Sequence, residues 1–410
     1  MSDKTESYGI SFLPDKATAG FIAAHRNDDI RALAFKRADG VDMTLALEQI
    51  AGYKKACRKL PQWSGVEGII YPPSLSMEQC SSEQTALYKV SLLHNVGSGC
   101  HSVKDSSFAD LTGGFGVDFS YLAACFDKAT YIERNTRLCA IAKHNFSLLG
   151  LSHVEVICGD SGDSLRDLSS VDVIYLDPAR RDSNGGRTFA IADCTPDAVA
   201  LLPLLLEKAS TVMVKLSPML DWHKVVADFR GHVAEVHIVA VDNECKELLL
   251  ILHRDVIDSP KVFCVNNGNV FLPSIYNIKR CNVNVVDVNQ LRGFLLVPNA
   301  AIMKAGCFAQ VAEAFRVAQI SDNSHLFVAE TPVDGFPGNT YRINAVTSMN
   351  KKELKNVLGG VRKANIAVRN FPLTVAELRK RLRINDGGNI FIFATTLYDC
   401  SHVLIVCSPL

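Results

Sequence analysis

The chain has 410 residues, 48% of them hydrophobic and 21% charged, which is ordinary for a globular protein with a large buried interior. That length is too great for one ordinary core and predicts two to four domains. Lysine plus arginine and aspartate plus glutamate both number 43, so a globally basic coat is excluded and any basic surface must be local.

The N-terminal region, residues 1–95, is predicted to be helical. Apolar residues recur at helical spacing in FIAAHRNDDIRALAFK, MTLALEQIAGYKKACRKL and SSEQTALYKVSLL. A loop that carries Pro61, Pro72 and Pro73 joins these segments. No strand pattern of comparable strength occurs in this region.

The region 96–256 alternates short apolar runs with helical segments. The runs are SFADL, ATYIER, VEVICG, VDVIYLDP, STVMVKL, VAEVHIVAV and ELLLILHR. Such alternation predicts βαβ units and a parallel sheet, hence an α/β fold. Only DNECK separates the last two runs, 233–241 and 247–254, so we expect an antiparallel hairpin there.

The C-terminal part is predicted to form small α+β domains. An Asn-rich stretch after Pro260 is either a linker or a short β element. The rest of 257–336 contains the strand patterns FLLVP and LFVAE and the helix pattern AAIMKAGCFAQVAEAFRVAQ. Beyond the GFPG break, residues 337–410 predict the order β-α-β-α-β-β.

The stretch FADLTGGFGVDFSYLAACF predicts a strand, a glycine turn and a helix. Gly113, Gly114 and Gly116 would let the backbone approach a ligand closely. The dinucleotide-binding fingerprint requires a small residue at position 119, where this chain has Phe119. The sequence therefore disfavours binding of a pyrophosphate.

An acidic residue stands at the end of each of the first three predicted strands. Asp110 precedes the glycines, Glu133 ends the second strand, and Asp160 follows the third. Carboxylates at these positions accept hydrogen bonds from ribose hydroxyls and pair with amino groups. They suit a ligand with ammonium, ribose and adenine groups, as S-adenosylmethionine has.

The motifs DLTGGFGVD, YIER, CGDS and LDPAR, in this order, resemble motifs I to IV of class I S-adenosylmethionine-dependent methyltransferases, which have a Rossmann-like sheet with an antiparallel last hairpin. The resemblance implies that Asp110, Gly114 and Gly116 line the methionine moiety, Glu133 the ribose, and Asp160 with Ser161 the adenine. The full predicted cofactor set is Asp110, Thr112, Gly113, Gly114, Gly116, Glu133, Arg134, Asp160, Ser161 and Asp177.

The fourth strand ends in YLDPARRD, which is similar to the (Asp/Asn)-Pro-Pro-(Tyr/Phe/Arg) element of methyltransferases that act on nucleic-acid bases. Asp177 would accept a hydrogen bond from the attacking nitrogen, and Pro178 would stiffen the loop. Ala179 replaces the second proline, and Arg180 replaces an aromatic residue but retains a plane that stacks on a base. The predicted catalytic residues are Asp177, Pro178 and Arg180.

Several nearby residues have two interpretations. Arg181 and Arg187 would hold a phosphate backbone or form a solvated loop paired with acids. Lys215, at the end of the fifth strand, would contact substrate or pair with Asp177. Cys194 is either a nucleophile for methylation at a pyrimidine C5 or a small buried cysteine.

Helices that precede the first strand close over the cofactor in several methyltransferases. By that resemblance Ser82, Glu83 and Tyr88 are candidate contacts. The sequence does not decide whether the N-terminal helices contact cofactor or RNA.

The last domain concentrates positive charge. Residues 351–383 contain ten Lys or Arg and two Glu, which leaves a net charge of −8 on the rest of the chain. The tail, with KANIAVRNFPLTVAELRKRL and DGGNIFIFATT, resembles the THUMP-like domain of a bacterial methyltransferase family that also has a small ferredoxin-like domain. This resemblance implies RNA binding, with Lys363, Arg369, Lys380, Arg381 and Arg383 as candidate contacts.

Thirteen cysteines occur without a CxxC pair or a His/Cys cluster at zinc-ligand spacing, so no disulfide framework and no metal site is expected. The N-terminus is polar, and no apolar run reaches the roughly 18 residues of a membrane span. We expect a cytoplasmic protein without membrane association.

The first functional hypothesis is an S-adenosylmethionine-dependent methyltransferase acting on a base nitrogen, preferably of a purine, in tRNA or rRNA. A small-molecule or protein methyltransferase with the same core is the second. The third is a non-catalytic RNA-binding module.

Overall fold

A computed structural model of the chain describes residues 13–93, 105–180, 191–273 and 288–410. These residues fall into two compact units. The first comprises the described residues up to 236 together with Leu248–Pro260, and the second comprises His237–Glu247 and Lys261–Leu410. Within the described ranges, no helix has the length and apolar character needed to cross a bilayer.

The N-terminal region is helical, as its periodicity predicts. Its helices are α1 (Lys16–His25), α2 (Ile30–Leu33), α3 (Met43–Lys59), α4 (Pro61–Ser64), α5 (Ser74–Gln79) and α6 (Glu83–Leu93). The pattern FIAAHRNDDIRALAFK predicts one helix, whereas the structure has α1 and α2. The break occurs because the Asp29 side chain accepts a hydrogen bond from the Arg31 amide and so begins a new helix.

The first unit contains a twisted sheet flanked by helices. The strands in this part of the chain are β1 (Ser107–Asp110), β2 (Lys128–Glu133), β3 (Val154–Cys158), β4 (Val171–Leu176), β5 (Ala179–Arg180), β6 (Cys194–Thr195), β7 (Ala209–Leu216), β8 (Val233–Val241) and β9 (Glu244–His253). Residues 237–247 of the last two strands and their turn are counted with the second unit. The helices between them are α7 (Val117–Ala123), α8 (Thr136–Leu148), α9 (Ser161–Asp167), α10 (Ala198–Lys208) and α11 (Trp222–Asp228).

The order of the main strands is β8-β9-β7-β4-β1-β2-β3. The pairs β1–β2, β1–β4, β2–β3 and β4–β7 are parallel, and β7–β9 is antiparallel. A two-residue turn, Asp242-Asn243, connects β8 to β9, and both residues have a positive φ, as a tight hairpin turn requires. The predicted Rossmann-like sheet with an antiparallel last hairpin is confirmed.

Aromatic rings fill the space between this sheet and α7 and α8. Phe119 is fully buried, stacks on Phe108 and packs edge-on against Tyr131. Its ring centroid is 5.0 Å from that of Phe146. A large side chain at position 119 therefore belongs to the core, where the dinucleotide fingerprint would require a small residue.

The second unit has its own strands and helices. The strands are β10 (Lys261–Asn266), β11 (Asn269–Phe271), β12 (Phe294–Pro298), β13 (Ala318–Gln319), β14 (Phe327–Ala329), β15 (Gly338–Thr347), β16 (Asn365–Arg369), β17 (Phe391–Thr396) and β18 (His402–Pro409). The helices are α12 (Ala300–Ala305), α13 (Phe308–Phe315), α14 (Lys351–Leu358) and α15 (Val375–Leu382).

The part of the Asn-rich stretch after Pro260 that the structure describes is β structure, because β10 and β11 form an antiparallel pair. The order of the following sheet is β13-β14-β12-β15-β18-β17-β16. In chain order, the last six elements are β15, α14, β16, α15, β17 and β18, which confirms the predicted order β-α-β-α-β-β. The single helix predicted over AAIMKAGCFAQVAEAFRVAQ is wrong, since Gly306 adopts a φ of +72 and ends α12 before α13 begins.

A buried amide joins the N-terminal region to the sheet domain. Asn145 on α8 is fully buried, accepts a hydrogen bond from the Ile70 amide and donates one to the Ile70 carbonyl, each at 2.9 Å. Gln49 on α3 makes the equivalent pair of bonds with the backbone of Tyr71, each at 2.8 Å. The backbone N–H and C=O groups of Ile70 and Tyr71 are thereby all hydrogen-bonded, by a side chain of α8 and a side chain of α3.

Replacement of Asn145 by leucine leaves both backbone groups of Ile70 buried and unpaired. We expect Asn145→Leu to lower the free energy of unfolding by about 2 to 5 kcal/mol. Urea titration followed by circular dichroism measures this value. Ser147→Leu on the exposed side of the same helix is the matched control. A loss for Asn145→Leu no larger than that of the control would contradict the assigned role.

Candidate active site

The predicted cofactor residues surround one cavity of about 500 Å³ at the carboxyl ends of β1, β2, β3 and β4. Those that line it are Asp110, Thr112, Gly113, Gly114, Gly116, Glu133, Arg134, Asp160, Ser161 and Asp177. Lys215, near the end of β7, lines it as well. Parallel strands bring their carboxyl ends to one edge of the sheet, which is why residues distant in sequence meet here.

The three glycines after β1 are required for different reasons. Gly113 has no positive φ, but a Cβ there would lie 2.1 Å from the Tyr131 ring. Gly114 has a φ of +56. Gly116 has a φ of +86, and its Cβ would lie 2.7 Å from the Phe146 ring. The turn therefore needs glycine for its packing on the aromatic core and for its backbone conformation.

Asp110, at the end of β1, connects the glycine-turn side of the cavity to the loop that carries Asp177. Its Oδ1 accepts a hydrogen bond from the Thr112 amide at 2.8 Å. The Thr112 hydroxyl lies 3.3 Å from the same oxygen and accepts a bond from the Asp177 amide at 2.6 Å. Burial raises the pKa of the Asp110 carboxyl well above its usual range, because the charged form loses its water.

The carboxylate of Glu133 holds the glycine turn. One oxygen accepts a hydrogen bond from the Gly114 amide at 2.9 Å, and the other accepts one from the Asn135 amide at 2.8 Å. Each oxygen has a second lone pair, and the residue lines the cavity. Glu133 thus fixes the loop and still offers acceptors to a ligand.

Asp160 and Ser161 are held at the start of α9. Asp160 Oδ1 accepts hydrogen bonds from the Gly162 and Asp163 amides at 2.8 and 3.3 Å. The Ser161 hydroxyl donates to the Leu111 carbonyl at 2.6 Å. The remaining oxygen of Asp160 is therefore presented from a rigid helix cap.

At the other end of the cavity, Lys215 donates a hydrogen bond to Oδ2 of Asp177. The sequence left open whether Lys215 pairs with this acid or contacts substrate, and in the structure the pair is formed. Pro178 is buried, and its neighbour Ala179 lines the cavity.

The cavity wall beyond Asp177 comes from two short strands. Arg180 pairs through its backbone with Cys194, and its side chain lies outside the described part of the structure. Arg181 and Arg187 also lie outside the described residues. Cys194 is buried, and its neighbours Thr195 and Pro196 line the cavity. A small buried cysteine is thus the interpretation that the structure favours.

The N-terminal region completes the cavity with a segment that the sequence did not indicate. The lining residues from this segment are Leu75, Ser76, Gln79, Cys80 and Ser81. The expected contacts Ser82, Glu83 and Tyr88 do not line it. Glu83 accepts a hydrogen bond from the Gln62 amide at 2.8 Å, and the Ser82 hydroxyl accepts one from the Thr85 amide at 3.2 Å. Both side chains therefore serve the helical region itself.

A second feature that the sequence did not indicate is Asp118 on α7. This carboxylate is 8% exposed, and the Lys89 ammonium lies 3.2 Å from its Oδ1. Burial alone would raise the pKa of Asp118, but Lys89, Lys215 and two hydroxyl donors lower it to about 2. The only sequence signal was an acid directly after the glycine turn, and this is common at solvated helix starts.

In the second unit, the candidate RNA contacts Lys363, Lys380, Arg381 and Arg383 are exposed, and Arg369 is half-buried on β16. Arg379 is half-buried too, since its guanidinium binds the Ala364 carbonyl and Asp386. Within the described ranges, no three His, Cys, Asp or Glu side chains are grouped as metal ligands would be.

Two family profiles match the C-terminal part of the chain. A ferredoxin-like domain matches residues 294–337, and a domain described as THUMP domain-like matches residues 338–409. A crystal structure described as a “putative methyltransferase” from Porphyromonas gingivalis W83 is 30% identical, covers 97% of this chain and 99% of that one, and superposes with a TM-score of 0.83.

The chain belongs to this methyltransferase family. The predicted combination of a methyltransferase sheet with ferredoxin-like and THUMP-like domains is confirmed. No protein in the curated set matches the chain.

Two further solved structures are similar to part of the present chain. An S-adenosylmethionine-dependent methyltransferase from Agrobacterium tumefaciens is 18% identical, with a TM-score of 0.32, and covers 42% of this chain and 62% of that one. An rRNA methylase from Streptococcus thermophilus is 14% identical, with a TM-score of 0.30, and covers 41% and 96% respectively.

The lowered pKa of Asp118 predicts a pH-dependent contribution to stability. Asp118→Asn should lower the free energy of unfolding at neutral pH, because it removes the partner of two cations. The pKa of Asp118 falls on folding from 3.8 to about 2, so the wild-type carboxylate stabilises the fold only where it is charged. The variant should therefore lose its full share of the free energy of unfolding above about pH 4, and the difference from wild type should shrink as the pH falls towards 2. Urea unfolding of both proteins between about pH 7 and about pH 3 measures it.

Asp110→Asn is the matched control, because the pKa of Asp110 shifts on folding in the opposite direction to that of Asp118. The pKa of Asp110 rises on folding, so a neutral amide removes an unfavourable charge at neutral pH. This variant should be as stable as wild type or more so at neutral pH. A constant deficit for Asp118→Asn at every pH would show that charge is not its contribution.

Proposed function

We propose that this protein is an S-adenosylmethionine-dependent methyltransferase that methylates a base nitrogen in structured RNA, either tRNA or rRNA. The observation that carries the proposal is that one cavity is lined by all ten predicted cofactor residues, Asp177 among them. Membership of a methyltransferase family and the THUMP-like domain support it.

The residues of the cavity fit this cofactor. A volume of about 500 Å³ lies in the usual range of ligand pockets. Glu133 has spare lone pairs for ribose hydroxyls, and Asp160 has a free oxygen for the adenine amino group. Gly113 lines the cavity with backbone alone, and any side chain at this position would collide with the Tyr131 ring. When bound, S-adenosylmethionine supplies a methyl group on a positively charged sulfur.

Asp177 is the residue that would act on the acceptor. Its backbone is fixed by the Thr112 hydroxyl and its Oδ2 by Lys215. No described hydrogen-bond donor reaches Oδ1, and the side chain is 37% exposed. This oxygen would accept the N–H of an amino or ring nitrogen, orient its lone pair and take up the proton that leaves after transfer.

The THUMP-like domain is the proposed RNA-binding module. Eight of the ten cations in 351–383 are exposed: Lys351, Lys352, Lys355, Arg362, Lys363, Lys380, Arg381 and Arg383. The Asn385 amide donates to the Arg362 carbonyl at 2.9 Å, which places the segment of Arg362 and Lys363 beside the chain that follows Arg383. Cations from two segments that are distant in sequence are therefore neighbours here, which suits contact with a phosphate backbone.

The activity is tested with labelled S-adenosylmethionine and unmodified total RNA, followed by digestion and identification of the labelled nucleoside. Asp177→Ala should reduce the rate of transfer about 100-fold or more, because the acceptor loses its hydrogen-bond partner, while cofactor binding persists. The exposed acid Asp163 does not line the cavity, so Asp163→Ala should transfer at the wild-type rate.

Two results would contradict the proposal. Label in no nucleoside, despite cofactor binding, would favour a small-molecule or protein substrate. A fully active Asp177→Ala would remove the catalytic role of this acid.

RNA binding by the basic surface predicts a strong dependence on salt. Replacing Lys380, Arg381 and Arg383 by glutamine should weaken binding of tRNA and reduce the slope of log K against log salt by about 1 for each contact removed. The control replaces Lys128, Lys246 and Arg292, which pair with acids, by glutamine. An equal change in both variants would show a dependence on net charge alone. Filter binding over a salt series gives the slopes.

A further inference from the structure

Four charged side chains form a cluster behind the acceptor end of the cavity: Lys89 on α6, Asp118 on α7, Lys215 on β7 and Asp177 in the loop after β4. The side chain of Lys89 is fully buried, that of Asp118 is 10% exposed and that of Lys215 is 12% exposed. The two cations and two carboxylates balance in charge. Burial of so many charges is unfavourable unless each has a defined partner.

Asp118 is held as a charged carboxylate at the centre of this cluster. The Ser81 and Tyr175 hydroxyls donate to its Oδ2 at 2.6 and 2.7 Å. Lys89 lies on the Oδ1 side at 3.2 Å. With two hydroxyl donors on Oδ2 and an ammonium ion beside Oδ1, the carboxylate is held in position and in charge.

Lys215 lies between two carboxylates. Its Nζ is 3.9 Å from Oδ2 of Asp118 and in contact with Oδ2 of Asp177. The ammonium donates a hydrogen bond to Oδ2 of Asp177, and attraction to the second carboxylate, 3.9 Å away, would favour this position on the core side. If that attraction were absent, Asp177 would be the remaining carboxylate partner in the cluster, and the ammonium would move over the oxygen that the proposed reaction uses.

We propose that Asp118 is a positioning residue: it retains Lys215 on the core side of Asp177 and thereby keeps one oxygen of Asp177 available to the acceptor nitrogen. The inference rests on the proposed function, since it assigns a role to the supports of Asp177. It also gives a reason why α6, α7 and β7 each place a charged side chain behind the cavity.

The test uses binding, so it does not depend on which RNA is the acceptor. Sinefungin carries an amine where the transferred methyl group of S-adenosylmethionine stands, and S-adenosylhomocysteine has no group there. The ratio of their dissociation constants therefore reports on the availability of Asp177. Calorimetry on the whole 410-residue chain gives both constants.

Asp118→Asn alone leaves Lys89 buried without its acid, so the variant to use combines Asp118→Asn with Lys89→Met, which restores the charge balance. We expect the preference for sinefungin to fall about tenfold, as for the loss of one charge-assisted hydrogen bond, with little change for S-adenosylhomocysteine. Asp177→Asn should lower the ratio similarly. Adding Asp177→Asn to the first variant should lower it no further, because both act through one oxygen.

Gln49→Met is the control for a purely structural effect. Gln49 is as buried as Asp118 but bonds the Tyr71 backbone, so this variant should lower the melting temperature and leave the ratio unchanged. An unchanged ratio in the Asp118→Asn/Lys89→Met protein, while Asp177→Asn lowers it, would overturn the inference and leave the proposed function intact. Failure of wild type to bind S-adenosylhomocysteine would instead overturn both.

Discussion

The need to compensate the buried carboxylate of Asp118 organises the first unit. A charge removed from water is stable only beside opposite charges and hydrogen-bond donors, and here these come from Ser81, Lys89, Tyr175 and Lys215. These four groups come from the segment just before α6, from α6 itself and from the strands β4 and β7. Together with the amides of Asn145 and Gln49, this interaction holds the helices against the sheet, and it lies beside the cavity wall.

The acids that face the cavity also hold the backbone that surrounds it. Glu133 bonds the glycine turn, Asp160 caps α9, and Thr112 joins Asp110 to the amide of Asp177. Each of these groups uses part of its hydrogen-bonding capacity on the chain and keeps the rest for a ligand. The loops are thus ordered before binding, which reduces the entropy lost on binding.

Charge is divided between the two units. Residues 351–383 carry a positive excess that the rest of the chain offsets, and eight of those cations are exposed on the THUMP-like domain. In the first unit, by contrast, Lys89, Asp118 and Lys215 are paired and largely shielded from solvent. Under the proposed function, such a division would leave the attraction of a polyanion to the second unit and methyl transfer to the first.

The sequence by itself determined the alternation of strands and helices, the last hairpin, the glycine turn and the acids at the strand ends, because these depend on local periodicity and on residues within one motif. It could not indicate Asp118, Lys89 or residues 75–81, since their partners lie far along the chain and a single acid or lysine has the same local pattern when solvated. Helix breaks at Asp29 and Gly306 were also missed, because apolar periodicity continues across them. Only the tertiary structure decided that Lys215 lies between two carboxylates, because burial and distance exist only after the chain has folded.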